Sequence, residues 1–214
     1  MNEDELRQQV VAAVQTLEAR GLNRGSTGNV SARWQQGMLI TATGMGADGL
    51  RPQDLVWVDW DGAVRGDWQP SSEWHFHQAV YLSRADVQAV VHAHATHATA
   101  LACLRRPLPA FHYMVAVAGG DSVPLVPYFT FGTPELSQAV AAAMHDRDAC
   151  LLANHGLVTA GASVAQAMKV MLEVESLCRV YLQALAVGEP ALLSDAEMAQ
   201  VIGKFRSYGR RARR

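Results

Sequence analysis

The sequence is poor in cysteine. Cys103, Cys150 and Cys178 are odd in number, far apart and without any paired spacing, which argues against a disulfide frame and fits reduced, buried thiols of a cytoplasmic protein. No apolar run approaches the length of a membrane span. The start, Met1-Asn2-Glu3-Asp4-Glu5-Leu6, is acidic where a secretory signal is basic. A cytoplasmic location with no membrane partner is therefore expected. Net charge is also lacking: 18 basic against 20 acidic residues leave a formal charge of -2, too small a field to draw the chain to nucleic acid. The basic run Arg210-Arg211-Ala212-Arg213-Arg214 reads as a solvated end. No repeat, linker, P-loop or dinucleotide fingerprint is present, so no nucleotide is implied. A small-molecule partner is what these absences leave.

What is present is apolar material. Half of the 214 residues are hydrophobic, enough for one full core, and a single domain over residues 1–214 is expected. A first helix is predicted from Asp4 to Arg20, with Leu6, Val10, Ala13, Val14 and Leu17 at helical spacing and Gly21 to stop it. Between Asn29 and Val64 short alternating runs predict strands, with Asp61-Gly62 as a hairpin turn. Helical and strand-like segments then alternate: helix 73–82, strand 87–93, helix 95–104, strand 123–126, helix 134–144, strand 149–153 and helices 164–186 and 195–205. This predicts an α/β fold with a mostly antiparallel or mixed central sheet and helices on both faces.

Two features carry chemistry. His92-Ala93-His94 ends an apolar strand, and residues two apart on a strand share a face, so two imidazoles converge. His155 follows a second apolar run, Cys150-Leu151-Leu152-Ala153; three imidazoles leave a zinc ion an open position, the catalytic arrangement. His75 and His77 fall in a helical segment, where residues two apart diverge by about 200°, and are not expected to be ligands. His97 is expected to support the site from one turn after His94; His112 and His145 read as ordinary surface or hydrogen-bonded histidines.

The second feature is anionic recognition. Ser71-Ser72-Glu73 after Pro70 opens a helix, with both hydroxyls expected to face outward at the positive end of the helix dipole. The turns Gly25-Ser26-Thr27-Gly28-Asn29 and Thr41-Ala42-Thr43-Gly44 add N–H and hydroxyl donors in concave backbone. A small sugar phosphate fits such a lining. Glu73 reads equally as a complement to the dipole and as a carboxylate that moves protons.

Taken together these residues resemble the class II aldolase and adducin head-domain family. The likeness runs from Gly21-Leu22-Asn23-Arg24-Gly25 and Gly28-Asn29-Val30-Ser31 through Pro70-Ser71-Ser72-Glu73-Trp74-His75-Phe76-His77, Ala89-Val90-Val91-His92-Ala93-His94, Phe111-His112-Tyr113-Met114 and Phe131-Gly132-Thr133. It continues through Asn154-His155-Gly156-Leu157 to Lys204-Phe205-Arg206-Ser207-Tyr208-Gly209. The resemblance implies a cytoplasmic homotetramer with sites at subunit boundaries and Zn2+ on His92, His94 and His155, with Glu73 as fourth ligand or acid/base. It implies phosphate contacts from Asn29, Thr43, Gly44, Ser71 and Ser72, near Ser26 and Gly28, a proton donor at Tyr113 from a neighbouring subunit, and an aldehyde pocket shaped by Phe131 and Tyr208. The implied reaction is reversible cleavage of a ketose 1-phosphate, L-fuculose 1-phosphate or similar, to dihydroxyacetone phosphate and an aldehyde. Methylthioribulose-phosphate cleavage or dehydration, pentulose-phosphate epimerisation and a non-catalytic interaction role are the rivals on this scaffold. The chain has no histidine after His155, which disfavours the epimerase; Asp121 keeps it open.

Overall fold

The computed structural model describes residues 2–207; Tyr208 and the basic run at 210–214 lie outside the described residues. Helix α1 (Glu3–Ala19) starts with a capping box in which Asn2 accepts from Glu5 N and the Glu5 side chain accepts from Asn2 N. It ends where Gly21 takes a positive φ, as its sequence predicted. Strands β1 (Asn29–Trp34), β2 (Gly37–Ile40), β3 (Val56–Asp59) and β4 (Val64–Arg65) form an antiparallel meander. The β3–β4 turn is the predicted one: Asp59 Oδ1 accepts from Asp61 N and Ala63 N.

Beyond the meander come α2 (Trp74–Ser83), β5 (Ala89–Ala93), α3 (Thr96–Cys103), β6 (Leu125–Val126), α4 (Pro134–Ala143), β7 (Ala149–Leu152), β8 (Gly156–Gly161), α5 (Val164–Leu185) and α6 (Asp195–Ser207). All eight strands join one sheet in the order β4-β3-β2-β1-β5-β8-β7-β6. Among the described residues only the β6–β7 pair is parallel, so the sheet is mixed and mostly antiparallel, as expected. Strand β8 and the 3-10 turns at Pro52–Asp54 and Tyr113–Ala118 have no counterpart in the sequence reading.

Alternation along the strands builds two cores. Ala89, Val91 and Ala93 of β5 pack with α1, α3, α5 and α6, whereas Val90 packs with Phe76, Val80 and Tyr81 of α2 and Leu136 and Val140 of α4. Fully burying one such large apolar side chain is worth about 1.5–3 kcal/mol. His92, two residues from Val90, shares the α2 face. Cys150 and Cys178 are buried as expected, but Cys103, at the end of α3, is exposed, because one side of that short helix faces solvent.

Candidate active site

The site lies where β1, β5 and β8 run side by side under the start of α2. In the ladder Asn29 stands opposite His92, and His92 opposite Val158. His94 follows two residues later, and His155 sits in the β7–β8 turn. That turn is closed by Asn154, whose φ of 56° is left-handed, and by His155 N donating to Leu152 O at 3.0 Å. Gly156 is required beside it: a Cβ there would lie 2.6 Å from Ala93 O and 3.1 Å from His92 Cε1.

The three imidazoles face one another, with ring centroids 4.8–5.0 Å apart and ligand atoms within 4.8 Å. His92 Nδ1 donates to Leu157 O at 3.0 Å, which leaves Nε2 bare toward the cluster. Glu73 brings Oε2 to 3.3 Å from His92 Nε2 and Oε1 to 3.2 Å from His155 Nε2. These approaches are close but not aligned, for Glu73 Oε1, His92 Nε2 and His94 Nε2 are buried without a hydrogen-bond partner. Orphaned buried lone pairs of this kind are costly unless an ion or water takes them. Burial, reinforced by His94, pushes His92 down to about 3; burial and then His92 push His155 down to about 4. Burial also lowers His94, against the opposing pull of Glu73. Neutral imidazoles are what a metal binds, and the donor set fits a metal ion.

A cleft of about 300 Å³ opens beside the cluster, lined in part by Glu73, His94 and His155. Ser26, Gly28, Asn29, Thr43 and Gly44 line it too, as do Ser71, Ser72 and Phe131, so every candidate for the anion site borders one space. Two loops are zipped to bring this about: Thr43 N donates to Gln69 O and Ser71 N to Thr41 O, each at 3.0 Å. Gly28, at φ +70°, lets β1 approach β5, since a Cβ there would lie 2.3 Å from Asn23 Nδ2 and 2.6 Å from His92 O.

The two serines do not both face outward. Ser72 is exposed, but Ser71 is buried and its hydroxyl turns inward, accepting from Asn29 Nδ2 at 3.0 Å and weakly from Glu73 N at 3.4 Å. The reason is that Glu73 precedes the helix as its cap residue, with φ −102° and ψ 9°, so the helix begins at Trp74. His97 does not line the cleft: its backbone and ring N–H groups are held by Glu175 of α5. Tyr113 also lies away from the cleft lining and is half exposed. Asp121 pairs with Arg147 at 3.1 Å.

Sequence reasoning missed His77. It stands apart from the three clustered imidazoles, is fully buried and joins Asn29 through Nε2 and Ser31 Oγ through Nδ1. Glu73, His77 and Tyr81 recur every four residues, one side of a helix, opposite Asn29 and Ser31, two apart on a strand. That double periodicity was the available signal.

Residues 8–182 match the family described as Class II Aldolase and Adducin N-terminal domain. The chain is 48% identical over 204 residues to the 5-methylthioribulose-1-phosphate/5-deoxyribulose-1-phosphate aldolase of Rhodospirillum rubrum, covering 95% of this chain and 92% of that one. It is 47% identical over 212 residues to the L-fuculose phosphate aldolase of Escherichia coli O6:H1, covering 99% of both. Among solved structures, an L-fuculose 1-phosphate aldolase superposes with a TM-score of 0.91 at 40% identity, over 94% of this chain and 96% of the other. With its triad, its carboxylate and its match over most of its length, the chain belongs to the class II aldolase and adducin N-terminal domain family.

Proposed function

We propose that this chain is a zinc-dependent aldolase that reversibly cleaves a ketose 1-phosphate to dihydroxyacetone phosphate and an aldehyde. The observation that carries the reading is Glu73, set between two bare imidazole nitrogens and the mouth of a hydroxyl-rich cleft. His92, His94 and His155 would hold the ion, which when bound supplies a Lewis acid for the substrate oxygens. Ser72, Thr43 and the backbone around Gly44 and Ser26 receive the phosphate. In the cleavage direction the electron pair of the breaking carbon–carbon bond passes to the dihydroxyacetone half, and Glu73 returns a proton to that carbon. Tyr113, reaching in from a neighbouring copy of a homotetramer, exchanges the proton on the aldehyde oxygen, and Phe131 lines the aldehyde side. The three free cysteines suit a reducing cytoplasm, and no described helix is long and apolar enough to cross a membrane.

Two aldehyde partners deserve assay, since the relatives named for L-fuculose phosphate and for methylthioribulose or deoxyribulose phosphate are about equally similar. Both substrates share the dihydroxyacetone phosphate half, so that half is the better probe. Dihydroxyacetone phosphate alone in D2O should take up deuterium at the carbon that becomes nucleophilic, and should stop doing so after chelation or Glu73→Gln. Turnover of ribulose 5-phosphate without such exchange would hand the reaction to an epimerase instead.

A further inference from the structure

Behind the cleft runs a line of buried polar groups that begins at Tyr81 and ends on Asn29, Ser71 and Glu73 of the cleft wall. Tyr81 OH lies 2.8 Å from Ser31 Oγ, and Ser31 Oγ 2.7 Å from His77 Nδ1. His77 Nε2 lies 2.5 Å from Asn29 Oδ1, and Asn29 Nδ2 lies 3.0 Å from both Ser71 Oγ and Glu73 Oε2. Tyr81, Ser31 and His77 are at most 1% exposed and Asn29 is 4% exposed, so solvent cannot substitute for a missing link.

The direction of every bond follows from one end. A carboxylate only accepts, so the Asn29 end facing Glu73 is its NH2 group, which spends one hydrogen on Glu73 and one on Ser71. Its carbonyl oxygen therefore faces His77 and needs a donor, which puts the ring hydrogen on Nε2. The bare Nδ1 then accepts from Ser31, and Ser31 accepts from Tyr81. An amide is nearly symmetric in shape, so only its partners decide which way it points. Flipped, Asn29 would present its oxygen to the Glu73 carboxylate and repel it.

We propose that His77 is a positioning residue for the reaction: by donating from Nε2 it locks the Asn29 amide, which holds Glu73 through Oε2 and leaves Oε1 free for proton transfer. This rests on Glu73 being the acid/base of the proposed aldolase. Supporting groups one step removed from a metal or catalytic site are typically worth about 10–100-fold in activity.

Three substitutions separate the donor from bulk packing. Gln carries an amide N–H near the position of Nε2, so His77→Gln should keep most of the deuterium exchange into dihydroxyacetone phosphate. His77→Asn reaches only as far as Nδ1 and should lower kcat about 10–100-fold with metal content unchanged, as should His77→Leu where it folds. Asn29→Ala combined with His77→Asn should be no slower than the slower single variant, because both cut one path. Independently of activity, 15N NMR of the histidine-labelled metal-loaded protein should show His77 with Nε2 protonated and Nδ1 bare. A ring protonated on Nδ1, a His77→Asn enzyme at full rate, or kcat losses that multiply in the double variant would each overturn the proposal. Glu73→Gln at full rate would instead remove the acid/base itself, and the positioning role with it; Glu73→Gln slow beside His77→Asn at full rate sinks the positioning step alone.

Discussion

Glu73 has two oxygens in two different surroundings: Oε2 is held by Asn29, whereas Oε1 is buried without a hydrogen-bond partner. For the proposed proton transfer this split holds the carboxylate in place by one oxygen and leaves the other without a hydrogen bond. Glu73→Gln should therefore lower deuterium exchange into dihydroxyacetone phosphate by ~10²–10⁴-fold while phosphate affinity stays near its original value. Ser72→Ala should do the reverse, raising KM with kcat little changed, because its exposed hydroxyl serves binding in ground and transition state alike. Steady-state kinetics of the two variants side by side checks the division. The imidazoles make a second prediction. His92 at about 3 and His155 at about 4 refuse protons in the folded chain that an unfolded chain accepts near about 6.5. The unfolded state thus binds more protons below that pH, and stability of metal-free protein is full above pH ~6.5 and falls as pH drops toward 4 and then 3. Urea unfolding of chelated protein at a series of pH values reads this directly; a flat profile from pH 7 to 5 would contradict it.

At the scale of elements, the β7–β8 hairpin shows why part of the site was legible in the sequence and part was not. His92 and His94 were readable because a strand's period of two is written into Val90, His92 and His94, and His155 because it trails an apolar run. Strand β8 was missed because nothing between Leu152 and Gly156 spells a common two-residue turn; the reversal rests on Asn154 alone taking a left-handed conformation. Asn tolerates that region where β-branched residues do not. The inward turn of Ser71 was hidden for a similar reason, since its partner Asn29 is 42 residues away and local capping rules see only neighbours. Asn154 also accepts from Arg105 Nε at 3.1 Å, a tie that adds to the turn. Asn154→Gly should then keep both fold and metal, for glycine adopts the same φ freely. Asn154→Val should cost about 1–3 kcal/mol of stability and weaken metal binding by displacing His155. Calorimetric titration of metal into both variants distinguishes them, and equal affinities would show that the turn does not set the imidazole.

On the scale of the whole molecule, the described cleft brings together Glu73, His94, His155 and a lining rich in hydroxyls, yet no tyrosine borders it. The proposed cleavage must still exchange a proton at the aldehyde oxygen, separately from the carbon that Glu73 would serve. Tyr113 stands at the start of the 3-10 turn Tyr113–Ala118, half exposed, and Tyr128 and Phe131 are exposed at 55% and 63%. Phe131 already borders the cleft, so its solvent-facing side offers a second copy a surface continuous with the site. Exposed aromatics of this kind are favoured at contacts between subunits. A symmetric assembly in which each cleft borrows Tyr113 from its neighbour satisfies the proton requirement and covers these rings at once. The consequence is complementation: Glu73→Gln and Tyr113→Phe proteins, each nearly inactive, should recover activity when their subunits are mixed. With random exchange of equal amounts, about one site in four receives an intact Glu73 from one subunit and an intact Tyr113 from another, so recovery should approach a quarter of the original rate. Native mass spectrometry verifies the exchange. No recovery in proven mixed oligomers, or a Tyr113→Phe protein at full rate, would mean that each chain completes its own site.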